Sequence, residues 1–200
     1  MRLSPGRRAP GGAGLRRRRQ ACRPLSLGAS DSVGSIYQPR GLNIDRLIGL
    51  KEEGKSVDDY GDGQKGDRDA VIGMDCDIWI PAARPDVIHT DNVGQLKAKL
   101  VVQGANIPIT HEAERLLHER GVLCVPDFIA NAGGVICAAM EYKGACENTA
   151  MAAIEEKLRH NTRRVLDAVK QQGILPRQAA VELAQQRIKR AVSFRRWSVF

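Results

Sequence analysis

Apolar residues along this chain gather in short runs that alternate between two kinds. Compact apolar blocks predict strands at residues 25–29, 77–83, 99–103 and 122–125, the last running straight into Pro126. Three- and four-residue spacing predicts helices elsewhere. Residues 43–54 carry apolar positions at 44, 47, 48 and 50 and close on Gly54, a residue suited to a helix end. Residues 110–120 open on Thr110, with Glu112 and Glu114 favourably placed in the first turn. A helical turn is expected at 92–96. Longer helices are expected at 134–143, 148–172 and 176–192, the last with Pro176 at its start. Residues 56–69 read as a polar loop.

Unbroken apolar strands alternating with helices point to a parallel sheet covered on both faces. Ligands of such sheets sit beyond the carboxyl ends of the strands. Each predicted strand here leads into a small or polar turn: Ser30-Asp31-Ser32, Pro81-Ala82-Ala83, Gly104-Ala105-Asn106, and further on Asn131-Ala132-Gly133-Gly134. Four such turns along one edge would line one crevice.

Charge changes little in this picture once its position is known. The net charge is +8, and residues 1–27 contain eight arginines and no acidic residue. The rest of the chain is therefore balanced, and a basic nucleic-acid-binding face on the folded body is not expected. Residues 1–24 are rich in Gly, Pro and Arg without apolar periodicity, and are expected to be a disordered leader. Such a segment suits an organelle transit peptide, an RNA-binding arm around Arg16–Arg19, or a non-native leader; the last is the preferred reading. The five cysteines (22, 76, 124, 137 and 146) have no CxxC spacing and no paired His. Free, mostly buried thiols in a reducing compartment follow, with a cytoplasmic location, or a mitochondrial one if the leader is a transit peptide. No apolar run reaches the roughly 20 residues of a membrane helix. The histidines (89, 111, 118 and 160) form no triad and no metal-ligand spacing.

A literal GxGxxG occurs at Gly61, Gly63 and Gly66, but its flanks are polar. The dinucleotide fingerprint needs a buried strand before the glycines and a helix N-terminus after them. This copy is expected to be a flexible loop. Asp31 is better placed, since a carboxylate at a strand end can accept from an adenosine ribose; the alternative is a turn-forming Asp. Asn106 and Asn131 each offer a donor and an acceptor, suited to a ribose or a carboxamide; at Asn106 the equal alternative is a structural turn. Gly133 and Gly134 permit close backbone approach at a strand-to-helix transition.

These motifs, in this order from about Gly28 to Phe200, resemble the NAD(P)-binding domain of the glutamate/leucine/phenylalanine/valine dehydrogenase family. The resemblance implies hydride transfer to a nicotinamide during oxidative deamination of an L-amino acid to the 2-oxo acid. It also implies a homo-oligomer. By motif it places Asp31 and Ser32 at the adenosine ribose. Ala82 and Ala83 fall beside the adenine and pyrophosphate, Asn106 at the nicotinamide ribose and Asn131 at the carboxamide. Val135 and Ala138 fall towards the substrate, and Ala138 stands where glutamate-specific members place Ser, which weakens glutamate relative to a branched-chain or aromatic amino acid. The acidic Asp31 favours NAD over NADP.

The expected fold is therefore α/β, a doubly wound parallel (Rossmann-like) sheet lacking its first, central strand, with C-terminal helices. Residues 25–200 form a partial dinucleotide-binding domain in this reading. The strand–glycine-loop–helix unit and the substrate domain with its catalytic Lys and Asp have no counterpart here, so no catalytic residue is assigned. Two inner strands would have unpaired edges, and the chain alone is expected to be marginally stable and to bind NAD weakly or not at all. The rival reading is a non-catalytic module that pairs with a full-length subunit or binds an acidic partner through its Arg-rich tail.

Overall fold

The computed structural model describes residues 2–5 and 24–194. Seven strands form one sheet: β1 (Arg2–Pro5), β2 (Pro24–Ser30), β3 (Ser35–Tyr37), β4 (Gln64–Gly66), β5 (Ile78–Trp79), β6 (Leu100–Val102) and β7 (Leu123–Val125). Their order is β4-β3-β2-β1-β5-β6-β7. Only β5, β6 and β7 run parallel, with Ile78 beside Leu100 and Val101 beside Cys124. β2, β3 and β4 pair antiparallel.

The expectation of a wholly parallel, doubly wound sheet thus needs correction. Where a helix crosses over, as α2 (His111–Glu119) does between β6 and β7, the strands are parallel. Between β2 and β3 there are only residues 31–34, too few for a crossover, so the chain turns back as a hairpin. The central place is also filled. β1 lies between β2 and β5, antiparallel to both, with Arg2 opposite Gly28 on one side and Trp79 on the other. The two inner edges expected to be open are paired, and this part of the leader is a strand. Residues 6–23, which include the Arg16–Arg19 run, and the closing segment 195–200 lie outside the described residues.

The helices follow their capping signals. Asn43 accepts from the Arg46 N–H at the start of α1 (Ile44–Glu52), and Thr110 accepts from the Ala113 N–H at the start of α2. α3 (Asp127–Ala130) is a short helix that the sequence pattern does not announce. α4 (Gly133–Tyr142), α5 (Glu147–Gln172) and α6 (Pro176–Ser193) follow, with Gly173 left-handed just beyond α5.

The stretch at 56–69 is ordered rather than a loose loop. A 3-10 turn, Val57–Tyr60, buries Val57 and Tyr60 against Ile36, Leu42 and Leu47. Gly61 and Gly63 then turn the chain at φ values of 82° and 132° into edge strand β4. The glycine triplet follows a 3-10 turn rather than a buried strand and runs through β4 into a 3-10 turn at Arg68–Ile72 rather than an α-helix, so it is a turn of the sheet.

The main core lies under β5 and β6, where Trp79, Ile88, Val101, Ile109 and Leu117 are buried together. A second cluster packs β7 against α5 and α6 through Val125, Val165, Ala180 and Leu183. Four cysteines are described: Cys76 and Cys124 are buried, Cys137 is partly buried and Cys146 is exposed. Burial, reinforced by Glu114, pushes the Cys124 thiol up to about 12.

Candidate functional site

Asp31 sits where β2 ends and the hairpin begins. Its Oδ1 accepts from the Val33 N–H (2.9 Å), the Gly34 N–H (3.3 Å) and the Ser56 hydroxyl (3.0 Å). Its Oδ2 accepts from the Lys51 ammonium (2.7 Å) and the Val57 N–H (2.9 Å). Five donors from the hairpin, the end of α1 and the following 3-10 turn therefore converge on one carboxylate. Burial acts to raise the pKa of this group. The Lys51 ammonium and the three N–H donors outweigh it and hold the carboxyl far below its ordinary range. Asp31 ties three segments together, and little acceptor capacity faces outward.

Around that turn lies a cavity of about 530 Å³. Asp31 and Ser32 form part of one wall, and Pro81, Ala82 and Ala83, just past β5, form another. Two residues that motif reasoning missed, Arg68 and Arg84, also line it. Asp69 accepts from both, at 3.2 Å from Arg68 and 2.7 Å from Arg84. Guanidinium contacts hold the Asp69 carboxyl below its ordinary range. The expected residues Asp31, Ser32, Ala82 and Ala83 thus come together at the carboxyl ends of β2 and β5.

The next strand end is fastened to this wall. Backbone N–H groups of Gly104 and Ala105 donate to the Pro81 carbonyl at 2.9 and 2.8 Å. A Cβ at Gly104 would lie 3.2 Å from the Ala82 Cβ, so glycine lets the two turns approach. Asn106 and Asn131 then meet directly, the Asn131 amide donating to the Asn106 carbonyl oxygen at 2.7 Å. They sit beside the cavity and do not line it.

A buried ionic group supports this pair from behind. Arg177, in the first turn of α6, donates through Nε and Nη2 to the two carboxylate oxygens of Glu114 at 2.5 and 2.8 Å. Its Nη2 also lies 3.0 Å from Asp127 Oδ1 and 3.3 Å from Gln103 Oε1. The other oxygen of Asp127 accepts from the Ile107 N–H at 2.9 Å, at a residue with φ of 47°. Burial raises the Asp127 pKa, and the Ile107 N–H and Arg177 reverse that, leaving it lowered. Asp127 therefore fixes the turn that carries Asn106. Sequence reasoning passed over Asp127 and Arg177, although each stands directly after a proline at the start of a helix.

Val135 and Ala138 are not gathered into a pocket. Both are exposed on α4, Val135 at 77%, and no residue of that helix is buried. Among the described residues no group of His, Cys, Asp and Glu could hold a metal ion, and no helix is long and apolar enough to cross a membrane.

Comparison with known proteins bears on this arrangement. The chain is 34% identical over 181 residues to a glutamate dehydrogenase of Aeropyrum pernix, an alignment covering 86% of the chain and 43% of that protein. It is 37% identical over 186 residues to an NADP(+)-dependent glutamate dehydrogenase of Pyrobaculum calidifontis, covering 84% and 43%. The chain thus spans less than half the length of these relatives. Among solved structures, the hetero-hexameric glutamate dehydrogenase of Thermus thermophilus (leucine-bound form) shares the fold with a TM-score of 0.73 at 22% identity, over 88% of this chain and 42% of that one. Residues 24–196 match the Glutamate/Leucine/Phenylalanine/Valine dehydrogenase family model, nearly the whole of the described chain, and on that match the chain belongs to this family of amino-acid dehydrogenases.

Proposed function

We propose that this chain binds a nicotinamide dinucleotide as part of an enzyme that oxidatively deaminates an L-amino acid to its 2-oxo acid. The observation that carries this reading is the cavity beyond the ends of β2 and β5, lined by Asp31, Ser32, Ala82 and Ala83, with the Asn106–Asn131 pair at the next strand end. Adenosine would occupy the cavity. The small side chains of Ala82 and Ala83 let a flat base and a pyrophosphate pass close to the backbone. The Asn106–Asn131 pair offers amide donors and acceptors to the nicotinamide ribose and carboxamide. When bound, the nucleotide supplies the hydride acceptor; the chain's own residues orient it. Binding by this chain alone is expected to be weak, with the amino acid and partner subunits engaged by the intact enzyme. Val135 and Ala138, exposed on α4, would face the substrate there.

Saturation-transfer NMR with NADH tests the nucleotide part of this reading. Adenine and ribose protons should receive saturation from the 200-residue chain, and Ala82→Trp, which fills the cavity, should abolish it. The reading fails if no transfer occurs, or if transfer survives Ala82→Trp unchanged.

A further inference from the structure

The cavity has an ionic character that a lone Asp31 does not convey. If Asp31 were a free carboxylate it would accept a ribose 2′-hydroxyl and repel a 2′-phosphate, giving a preference for NAD. It is not free. Lys51 neutralises it at 2.7 Å, and four further donors occupy its oxygens. Beside it in the same lining stand Arg68 and Arg84, two guanidinium groups that share one carboxylate, Asp69. Both keep substantial exposure, with 47% and 40% of their side-chain surfaces accessible. Counting these groups together, the Lys51–Asp31 pair is neutral and the Arg68–Asp69–Arg84 trio retains one positive charge.

We infer that Arg68 and Arg84 form a phosphate-recognising element of this cavity, and that the chain selects a nucleotide carrying a 2′-phosphate on its adenosine ribose over one with a free 2′-hydroxyl. The inference rests on the nucleotide-binding reading above and adds the residues that discriminate. A ribose 2′-phosphate brings close to two negative charges and three acceptor oxygens. Guanidinium groups match phosphate oxygens with paired N–H donors, and such charge-assisted bonds are roughly twice as strong as neutral ones. A 2′-hydroxyl finds saturated acceptors on Asp31, and Asp69, the other carboxylate of the lining, already accepts three N–H bonds from the two arginines, so the hydroxyl gains little. The residual charge of the trio is thus better satisfied by the phosphorylated ribose.

The test uses the two adenosine ends alone. The 200-residue chain is titrated by calorimetry with 2′,5′-ADP and with 5′-AMP, which differ only in the 2′-phosphate. We expect 2′,5′-ADP to bind about tenfold more tightly, with the ratio falling to about two or less in R68Q/R84Q, since each lost charge-assisted contact is individually modest. R68Q/R84Q should weaken 2′,5′-ADP far more than 5′-AMP, and its thermal unfolding midpoint should match the parent's, because both arginines are largely exposed and their replacement should leave folding intact. Single variants R68Q and R84Q apportion the effect. Equal binding of the two ligands by the parent overturns the inference and leaves nucleotide binding standing. So does a ratio that survives R68Q/R84Q, or an equal loss for both ligands in that variant and in the single variants. Failure of both ligands to bind the parent sinks the inference together with the nucleotide-binding reading.

Discussion

Replacing Arg177 with Ala should destabilise the chain by an amount set by what it leaves behind. The guanidinium is the cation that faces both Glu114 and Asp127, which are 7% and 6% exposed. Removing one partner of a buried ionic group costs about 3–5 kcal/mol, because the remaining charges cannot recover their hydration. Arg177 itself keeps 18% of its side-chain surface in contact with solvent, which moves the expectation to the low end, about 3 kcal/mol. For a domain near 200 residues this corresponds to a fall of roughly 6–12 °C in Tm.

Thermal and urea unfolding of the parent and R177A measure that cost directly. Two further signatures separate it from simple loss of packing. The penalty should shrink on acidification, since protonated Asp127 no longer needs a cation. The double variant E114Q/R177M should be more stable than the sum of its single changes, because it removes one of the two anions together with the cation. A loss under about 1 kcal/mol, or a penalty independent of pH, would refute the reasoning. The Asn131 and Asn106 side-chain amide resonances should also shift in R177A, since Asp127 fixes the Ile107 N–H beside them.

Two more outcomes follow from single positions. Asp31→Asn should cost about 2 kcal/mol at neutral pH, from weakening several bonds to one charged acceptor. The parent carboxyl has a folded pKa below its unfolded value, so its contribution is fully present above about pH 4 and declines as pH falls towards the folded value. Unfolding measured from pH 7 to pH 2 should therefore show the gap between parent and D31N closing on the acid side; a gap that widens there contradicts the assignment. Gly63→Ala should cost about 2 kcal/mol, because φ is 132° and the new Cβ would lie 2.7 Å from the Tyr37 carbonyl oxygen. Urea midpoints unchanged by this substitution would return the glycine triplet to the status of an unstructured loop.

Most helices and the parallel strands were legible because their signals are local. Thr110 and Asn43 cap from their own side chains, Gly173 closes α5, and the runs at β6 and β7 are apolar without interruption. What escaped depends on partners far along the chain. β3 is three residues whose strand character comes from pairing with β2 and β4. Val57 and Tyr60 lie in a stretch that reads as polar, and are buried because α1 and β3 cover them. β1 interrupts a segment whose composition suggests no structure, and its pairing register with β2 and β5 is a tertiary fact.

The site shows the same division with a chemical consequence. Motif position brought Asp31, Ser32, Ala82 and Ala83 to one cavity and set Asn106 against Asn131, but it could not say which of their atoms remain free. The two carboxylates that hold the strand-end turns, Asp31 and Asp127, face inward, whereas Asp69 stays half exposed between its two arginines. Asp31 binds α1 and its following turn to the hairpin, while Asp127 binds the Asn106 turn and lies against Arg177. A carboxylate at a strand end is therefore a poor guide to ribose chemistry until its donors have been counted. With five donors on Asp31, the polar groups left for a ligand at this end are the exposed Ser32 and the Arg68–Asp69–Arg84 trio, which carries one net positive charge. That change, from an acidic to a net basic lining of the proposed adenosine site, cannot be read from the one residue that motif reasoning selects. It follows from Lys51, Ser56, Arg68 and Arg84, which lie 20 to 53 positions away and meet Asp31 only around the folded cavity and its turn.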